Sequence, residues 1–112
     1  MIYLEPPEHL RKKVDRKGGM KGISRTIPQD DEIGRQSKVY QAMSDPTRLK
    51  IMALLSKQQL CVCLMKEVIP IPDPKLSYHI SILKDAGLIE GEQEGNWIIY
   101  RLTPKGRRFR PK

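Results

Sequence analysis

Apolar residues recur at helical spacing only from about Gln36 onward. Before that, residues 1–35 are polar and broken by Pro6-Pro7, Gly18-Gly19, Gly22, Pro28 and Gly34, and no apolar period survives across them. This stretch reads as a flexible N-terminal arm. A short helix over 8–16 is compatible with Leu10 and Val14 standing four apart, but two apolar side chains bury too little to hold it alone. From Gln36, Val39, Tyr40 and Met43 form a stripe on a short helix. Asp45-Pro46 then pairs an N-cap residue with proline at the first helical position, predicting a helix from Pro46 to about Ser56 with Leu49, Met52, Ala53 and Leu55 inward. A third short helix is expected over 60–68, with Leu60, Val62, Met65 and Val68 as its inward residues.

Pro70, Pro72 and Pro74 impose an extended turn. Asp73 as cap and Pro74 at the first position start a fourth helix carrying Leu76, Ile80 and Leu83 at i, i+4 and i+7, and Gly87 is placed to end it in a left-handed conformation. Leu88–Gln93 and Trp97–Leu102 flank Glu94-Gly95-Asn96 as two alternating runs, the signature of a β-hairpin that Thr103-Pro104 closes. Residues 105–112 read as a solvated basic tail. The fold class is mainly α with a small β-hairpin, and three short helices, a reading helix and a hairpin form the element order of a winged helix-turn-helix over residues 36–104.

Composition adds a partner class. Among 112 residues, 21 Lys and Arg stand against 13 Asp and Glu, a net charge of +8 that makes nucleic acid the first partner to consider. The charge is uneven: residues 37–104 carry eight basic against seven acidic groups, whereas 105–112 carry five basic and none acidic. Aromatics make up 5%, and no apolar run approaches the roughly 20 residues that span a bilayer. Glu5 and Glu8 stand where a signal peptide would be basic, so a cytoplasmic protein that does not engage membranes is expected. Without a phosphate-cradling glycine loop, a metal-ligand cluster or a Ser/His/acid arrangement, the chain does not read as an enzyme.

The runs Met43-Ser44-Asp45-Pro46-Thr47-Arg48-Leu49-Lys50-Ile51, Leu60-Cys61-Val62-Cys63, Leu76 to Leu88 and Glu94 to Leu102, in this order and spacing, resemble the ArsR/SmtB family of transcriptional regulators over about residues 37 to 104. The resemblance implies a dimeric winged-helix repressor that binds a palindromic double-stranded operator and often leaves it when a metal or metalloid binds. It places DNA contacts on the N-terminal side of the fourth helix, where Lys75, Ser77, Tyr78 and His79 project. On the wing, Asn96 and Arg101 are the favourable polar groups, among Glu90, Glu92 and Glu94, which repel phosphate. Either the wing stays off the backbone, or the tail with Arg107 and Arg108 supplies the missing charge. The alternative function is a winged-helix module that binds protein and has only nonspecific DNA affinity.

Cys61 and Cys63 are too few for a disulfide framework and read as free thiols. They match the thiols of the family's Cys-Val-Cys box, which makes arsenite or another soft metal ion a candidate effector, with no cofactor required. The third cysteine of the arsenic-type box is replaced by Lys66, which weakens metalloid sensing and leaves two other readings: a thiol redox site, or small apolar fillers. On a regular helix, residues two apart point in roughly opposed directions, so joint use of both sulfurs requires the helix start to unwind. His79 lacks metal partners, since the other histidine is His9 in the arm. The family's zinc site, on a helix after the wing, has no counterpart in so short and polar an end. Dimerisation must then draw on Val39, Tyr40, Met43 and the arm.

Overall fold

A computed structural model describes residues 4–112, which fall into two compact units divided between Ile33 and Gly34. The first unit contains helix α1 (Glu8–Arg16), which forms over the expected residues, and helix α2 (Gly19–Ser24), which the pattern did not predict. The Pro7 carbonyl accepts from the Leu10 and Arg11 N–H groups at 3.1 and 3.0 Å, and Lys12 pairs with Glu8 one turn back at 3.5 Å. No residue of either helix is buried. Local hydrogen bonds, not a core, hold these turns.

Helix α3 (Asp30–Met43) begins six residues earlier than expected, because Asp30, Asp31 and Glu32 in its first turn complement the positive end of the helix dipole. In the second unit it contributes Val39 and Ala42 to the core, whereas Tyr40 faces solvent. Val39 is therefore not free to serve a dimer interface. Asp45 caps helix α4 (Pro46–Lys57), its side chain accepting from the Arg48 N–H at 3.1 Å. Ile51, Met52 and Leu55 are the buried residues of α4; Leu49 lies half-buried and Ala53 is exposed, so the inward face is rotated from the expected one.

Helix α5 is a single turn (Val62–Met65), because Leu60 leaves the helix to bridge Tyr100 by two backbone hydrogen bonds of 2.9 and 3.1 Å. Met65 and Ile69 reach the core and Val68 stays exposed. Helix α6 (Asp73–Asp85) buries Leu76, Ile80 and Leu83 as expected. Gly87, with φ +75°, then takes the left-handed position at which Leu88 N–H bonds Leu83 O at 3.0 Å and Gly87 N–H bonds Lys84 O at 2.9 Å. This sharp stop turns the chain into strand β1 (Ile89–Glu94), antiparallel to β2 (Trp97–Leu102), with Ile89 opposite Leu102 and Glu94 opposite Trp97.

The expected solvated tail is instead helix α7 (Pro104–Phe109). Thr103 caps it, accepting from Gly106 N–H at 3.0 Å while donating its hydroxyl to Gly87 O at 2.6 Å, so one side chain ties the end of the hairpin to the end of α6. Gly106 is buried against Leu88, where a Cβ would meet the Leu88 carbonyl oxygen at 2.0 Å. Phe109 packs edge-on to Tyr40 with ring centroids 6.1 Å apart.

Gly106→Ala is expected to lower the unfolding free energy by about 2 kcal/mol or more, because backbone must move to admit the methyl group. Gly34→Ala, in α3 with nothing within 4 Å of the added carbon, should raise it by about 0.5 to 1 kcal/mol. Urea denaturation of the two variants checks both signs.

Candidate nucleic-acid interface

The periodicity of α6 sorts its side chains into two sets. Leu76, Ile80 and Leu83 point inward, and Lys75, Ser77, Tyr78 and Ser81 are exposed on the other side, Ser81 donating to the Tyr78 carbonyl at 2.8 Å. Tyr78 is 60% exposed. His79, expected on the outer face, is buried. It stands three residues after Leu76 and four before Leu83, which puts it inside the apolar stripe, and the same spacing shows that Ser81 belongs outside.

The buried imidazole has a specific partner. His79 Nδ1 lies 3.0 Å from Arg48 Nη1, and the same guanidinium donates through Nε to Ala42 O at 2.7 Å and through Nη2 to Gln41 O at 3.3 Å. Those carbonyls belong to the last turn of α3, where helical partners run out. The Arg48 backbone N–H meanwhile donates to the Asp45 cap. Arg48 thus joins the end of α3, the start of α4 and the inner face of α6. Burial works to raise the Asp45 pKa, but the Arg48 N–H bond and the Arg48 charge, with His79 and the Thr47 N–H adding to them, hold it below the ordinary carboxylate value.

The wing is electrostatically closed on itself. Arg101 donates through Nε to Glu90 at 2.9 Å and through Nη1 to Glu92 at 2.8 Å, and the two carboxylates raise its pKa further. Expected as a free cation for phosphate, Arg101 is instead committed to neutralising acidic neighbours that the register places on one face of the hairpin. Asn96 sits exposed in the two-residue turn after Gly95, whose φ of +61° suits the first position of such a loop. Trp97 and Ile98 are exposed at the wing tip. Arg107 and Arg108 are exposed on α7, not on a free tail, and Arg107 lies beside residues 55–59 at the end of α4. The structure therefore brings Lys75, Ser77 and Tyr78 together on one helix and leaves Asn96, Arg107 and Arg108 on separate elements.

Cys61 and Cys63 are joined by a disulfide, which corrects the reading of both as free thiols. Cys61 is not helical: it stands before α5 with φ −83° and ψ 167°, so the opposed directions of a regular helix do not apply and the two Cα atoms are 5.4 Å apart. Cys61 is buried and Cys63 exposed. Lys66, at the place of the absent third cysteine, pairs with Asp73 at the start of α6. Among the described residues no group of three or more His, Cys, Asp or Glu side chains converges to hold a metal ion, and no helix is long and apolar enough to cross a membrane.

Residues 45–90 match the model of a family described as bacterial regulatory protein, arsR family. An uncharacterised HTH-type transcriptional regulator of Methanocaldococcus jannaschii is 37% identical over 74 residues, covering 65% of this chain and 83% of that protein. The chain belongs to the arsR family. The arsenical resistance operon repressor of Bacillus subtilis is 42% identical over 72 residues, covering 63% of this chain and 69% of that one. A solution structure of the homodimeric winged helix-turn-helix DNA-binding domain of Mb0332 from Mycobacterium bovis superposes with a TM-score of 0.64 at 22% identity over 73% of this chain and 79% of that one. That likeness establishes the winged helix-turn-helix fold. Matched arsR-family relatives are transcriptional regulators, not enzymes, and the chain spans between 53% and 83% of the length of the first of them. The family match opens on Asp45 and ends on Glu90. It therefore takes in the cap, Arg48, the cysteine pair and α6 of this arsR-family chain, and leaves out α1, α2 and α7.

Because the folded-state pKa of Asp45 lies below its unfolded value, its ionisation contributes stability above about pH 4 that is lost as pH falls through the folded pKa. Asp45→Ala should cost about 1 kcal/mol at pH 7, the worth of an N-cap. The gap between wild type and variant should narrow below pH ~4, as urea midpoints measured across pH will show.

Proposed function

We propose that this arsR-family chain is a repressor that reads a symmetric double-stranded operator as a homodimer in the cytoplasm. Lys75, Ser77, Tyr78 and Ser81 of α6 face the major groove. What carries the reading is the outer face of α6: the exposed polar side chains of Lys75, Ser77, Tyr78 and Ser81 opposite a fully buried stripe, with the exposed carboxylates Asp73 and Asp85 confined to the two ends of the helix. Serine and tyrosine hydroxyls hydrogen-bond base edges or phosphates, and Lys75 adds charge in the first turn, where helix N–H groups also favour phosphate. His79 takes no direct part, being buried. With Arg101 held by Glu90 and Glu92, the wing contributes Asn96 at its tip, and Arg107 and Arg108 supply phosphate contacts from α7. The homodimeric state of the Mb0332 domain supports dimerisation here, with the exposed Tyr40 and its partner Phe109 as contact residues.

Mobility shifts against the DNA upstream of the protein's own gene test this directly. Ser77→Ala and Tyr78→Ala should each weaken specific binding by about 1 to 3 kcal/mol and leave nonspecific binding nearly unchanged. The double variant Arg107→Gln, Arg108→Gln should weaken binding to all sequences alike and reduce the salt slope by about 2. Weak, sequence-blind binding by the unsubstituted chain would favour a protein-binding winged helix, whose docking surface would be the acidic wing with Trp97 and Ile98.

For the effector, we propose that the Cys61–Cys63 pair acts in its reduced form as a two-thiolate site for arsenite or another soft ion, and that the disulfide is its closed state. The names of the Bacillus subtilis relative and of an arsenical resistance operon repressor of Escherichia coli support this class of effector. Arsenite added to the reduced protein should produce sulfur-to-metalloid absorbance and release of operator. An unchanged spectrum with intact binding would leave the pair a structural link.

A further inference from the structure

The inner face of α6 is apolar except for His79, whose side chain is 7% exposed. A guanidinium donates hydrogen bonds and never accepts them, so the nitrogen 3.0 Å from Arg48 Nη1 must be the unprotonated one, and the proton of the neutral ring sits on Nε2. We propose that His79 is a positioning residue for DNA binding, which as a neutral acceptor for Arg48 fixes α6 against the α3–α4 corner and as an imidazolium releases it. This rests on the reading of α6 as the DNA-contacting helix.

Protonation turns Nδ1 into a donor aimed at a guanidinium, so a hydrogen bond becomes a repulsion between two cations in a half-buried site. Asp45 Oδ1, 3.9 Å from the same nitrogen, is the anion at hand. That oxygen already accepts the Arg48 N–H as the cap of α4, so an imidazolium gains it only at the expense of the cap. Tyr78 meets the ring edge-on, with centroids 5.6 Å apart, so displacement of the imidazole also moves a side chain on the reading face. Lys38 of α3 and Asp85 of α6 line the shallow groove beside Arg48 and Tyr78, and their opposite charges flank the corner without bonding the ring. The sign of the effect is diagnostic. A histidine facing phosphate strengthens DNA binding when it gains a proton, whereas one holding Arg48 weakens it.

The test is operator affinity of the full chain from pH 8 to 5.5 in a His9→Gln background, where His79 is the sole imidazole. Affinity should fall about tenfold or more on acidification, as expected for loss of a charge-assisted hydrogen bond. His79→Asn, whose amide oxygen reaches the place of Nδ1, should keep the affinity at pH 8 and flatten the profile. His79→Leu should bind weakly at every pH. Affinity that stays level or rises in acid, or a His79→Leu variant that binds like wild type, overturns the proposal. Nitrogen NMR of the labelled imidazole in the unsubstituted chain gives a readout that needs neither variant nor DNA. It should show an unprotonated Nδ1 at pH 8, and a protonated one overturns the assignment. Failure to bind the operator at any pH would count against the DNA-binding reading, and the nitrogen spectrum would still decide the contact with Arg48.

Discussion

A guanidinium carries five N–H donors in a rigid fork, and in this chain Arg48 spends that geometry on a single corner. It meets two carbonyls at the end of α3 and the imidazole on the inner face of α6, while its own backbone N–H is held by the Asp45 cap. Apolar packing alone would press these three helices together without choosing a register, since hydrophobic contact is non-directional. Hydrogen bonds with fixed angles choose one. The sequence Asp45-Pro46-Thr47-Arg48 is compact enough to do this: the cap, the proline at the first helical position and the arginine occupy four consecutive residues.

Once α6 is fixed, the rest of the unit limits what its outer face meets. The glycine stop at Gly87 sends the chain straight into β1, and Thr103 returns it to the same point from the end of β2, so hairpin and reading helix share one anchor. Glu90 and Glu92 would repel a phosphate backbone if left bare. Their pairing with the single guanidinium of Arg101 halves that charge, leaving one net negative, and takes up the attraction of Arg101. What the hairpin retains at its tip is uncharged Asn96 and two exposed apolar residues, Trp97 and Ile98, along with Glu94. On the proposed reading, direct readout is thereby concentrated on α6.

The sequence was most legible where local chemistry dictates local geometry. Asp45-Pro46, the Leu76/Ile80/Leu83 stripe, Gly87 and the hairpin each rest on interactions within a few residues, and the element order followed from them, although Glu94, expected in the turn, pairs with Trp97 and shortens the loop to Gly95-Asn96. Some differences have local signals in the sequence, as the acidic first turn of α3 does. Thr103-Pro104 repeats the cap-and-proline pattern of Asp45-Pro46, so α7 was announced in the same way as α4. His79 falls in the buried stripe by simple counting from Leu76 and Leu83. Other differences are nonlocal. That Arg48 would choose a histidine 31 residues away, that Arg101 would be claimed by Glu90 and Glu92 across the hairpin, or that Leu60 would leave α5 to pair with Tyr100, depends on the packed arrangement.

The net charge of +8 takes on a different meaning in this setting. Between Arg11 and Arg25 seven basic residues stand with one acidic residue, Asp15, and the last eight residues add five more cations, while 37–104 is close to neutral. A chain that carried its positive charge on the reading helix would bind any duplex tightly, since phosphate contacts are blind to sequence and grow with each neutralised charge. Here the exposed charges of α6, Lys75 and Lys84 against Asp73 and Asp85, cancel, and the hydroxyls of Ser77, Tyr78 and Ser81 gain little from phosphate alone and more from a matching base edge. On the proposed reading, attraction and discrimination are therefore carried by different residues. On that reading the Arg48 corner acts chiefly on discrimination, because a displaced α6 misaligns hydroxyls whose hydrogen bonds depend on angle, whereas charge attraction reaches over about a Debye length and depends little on orientation.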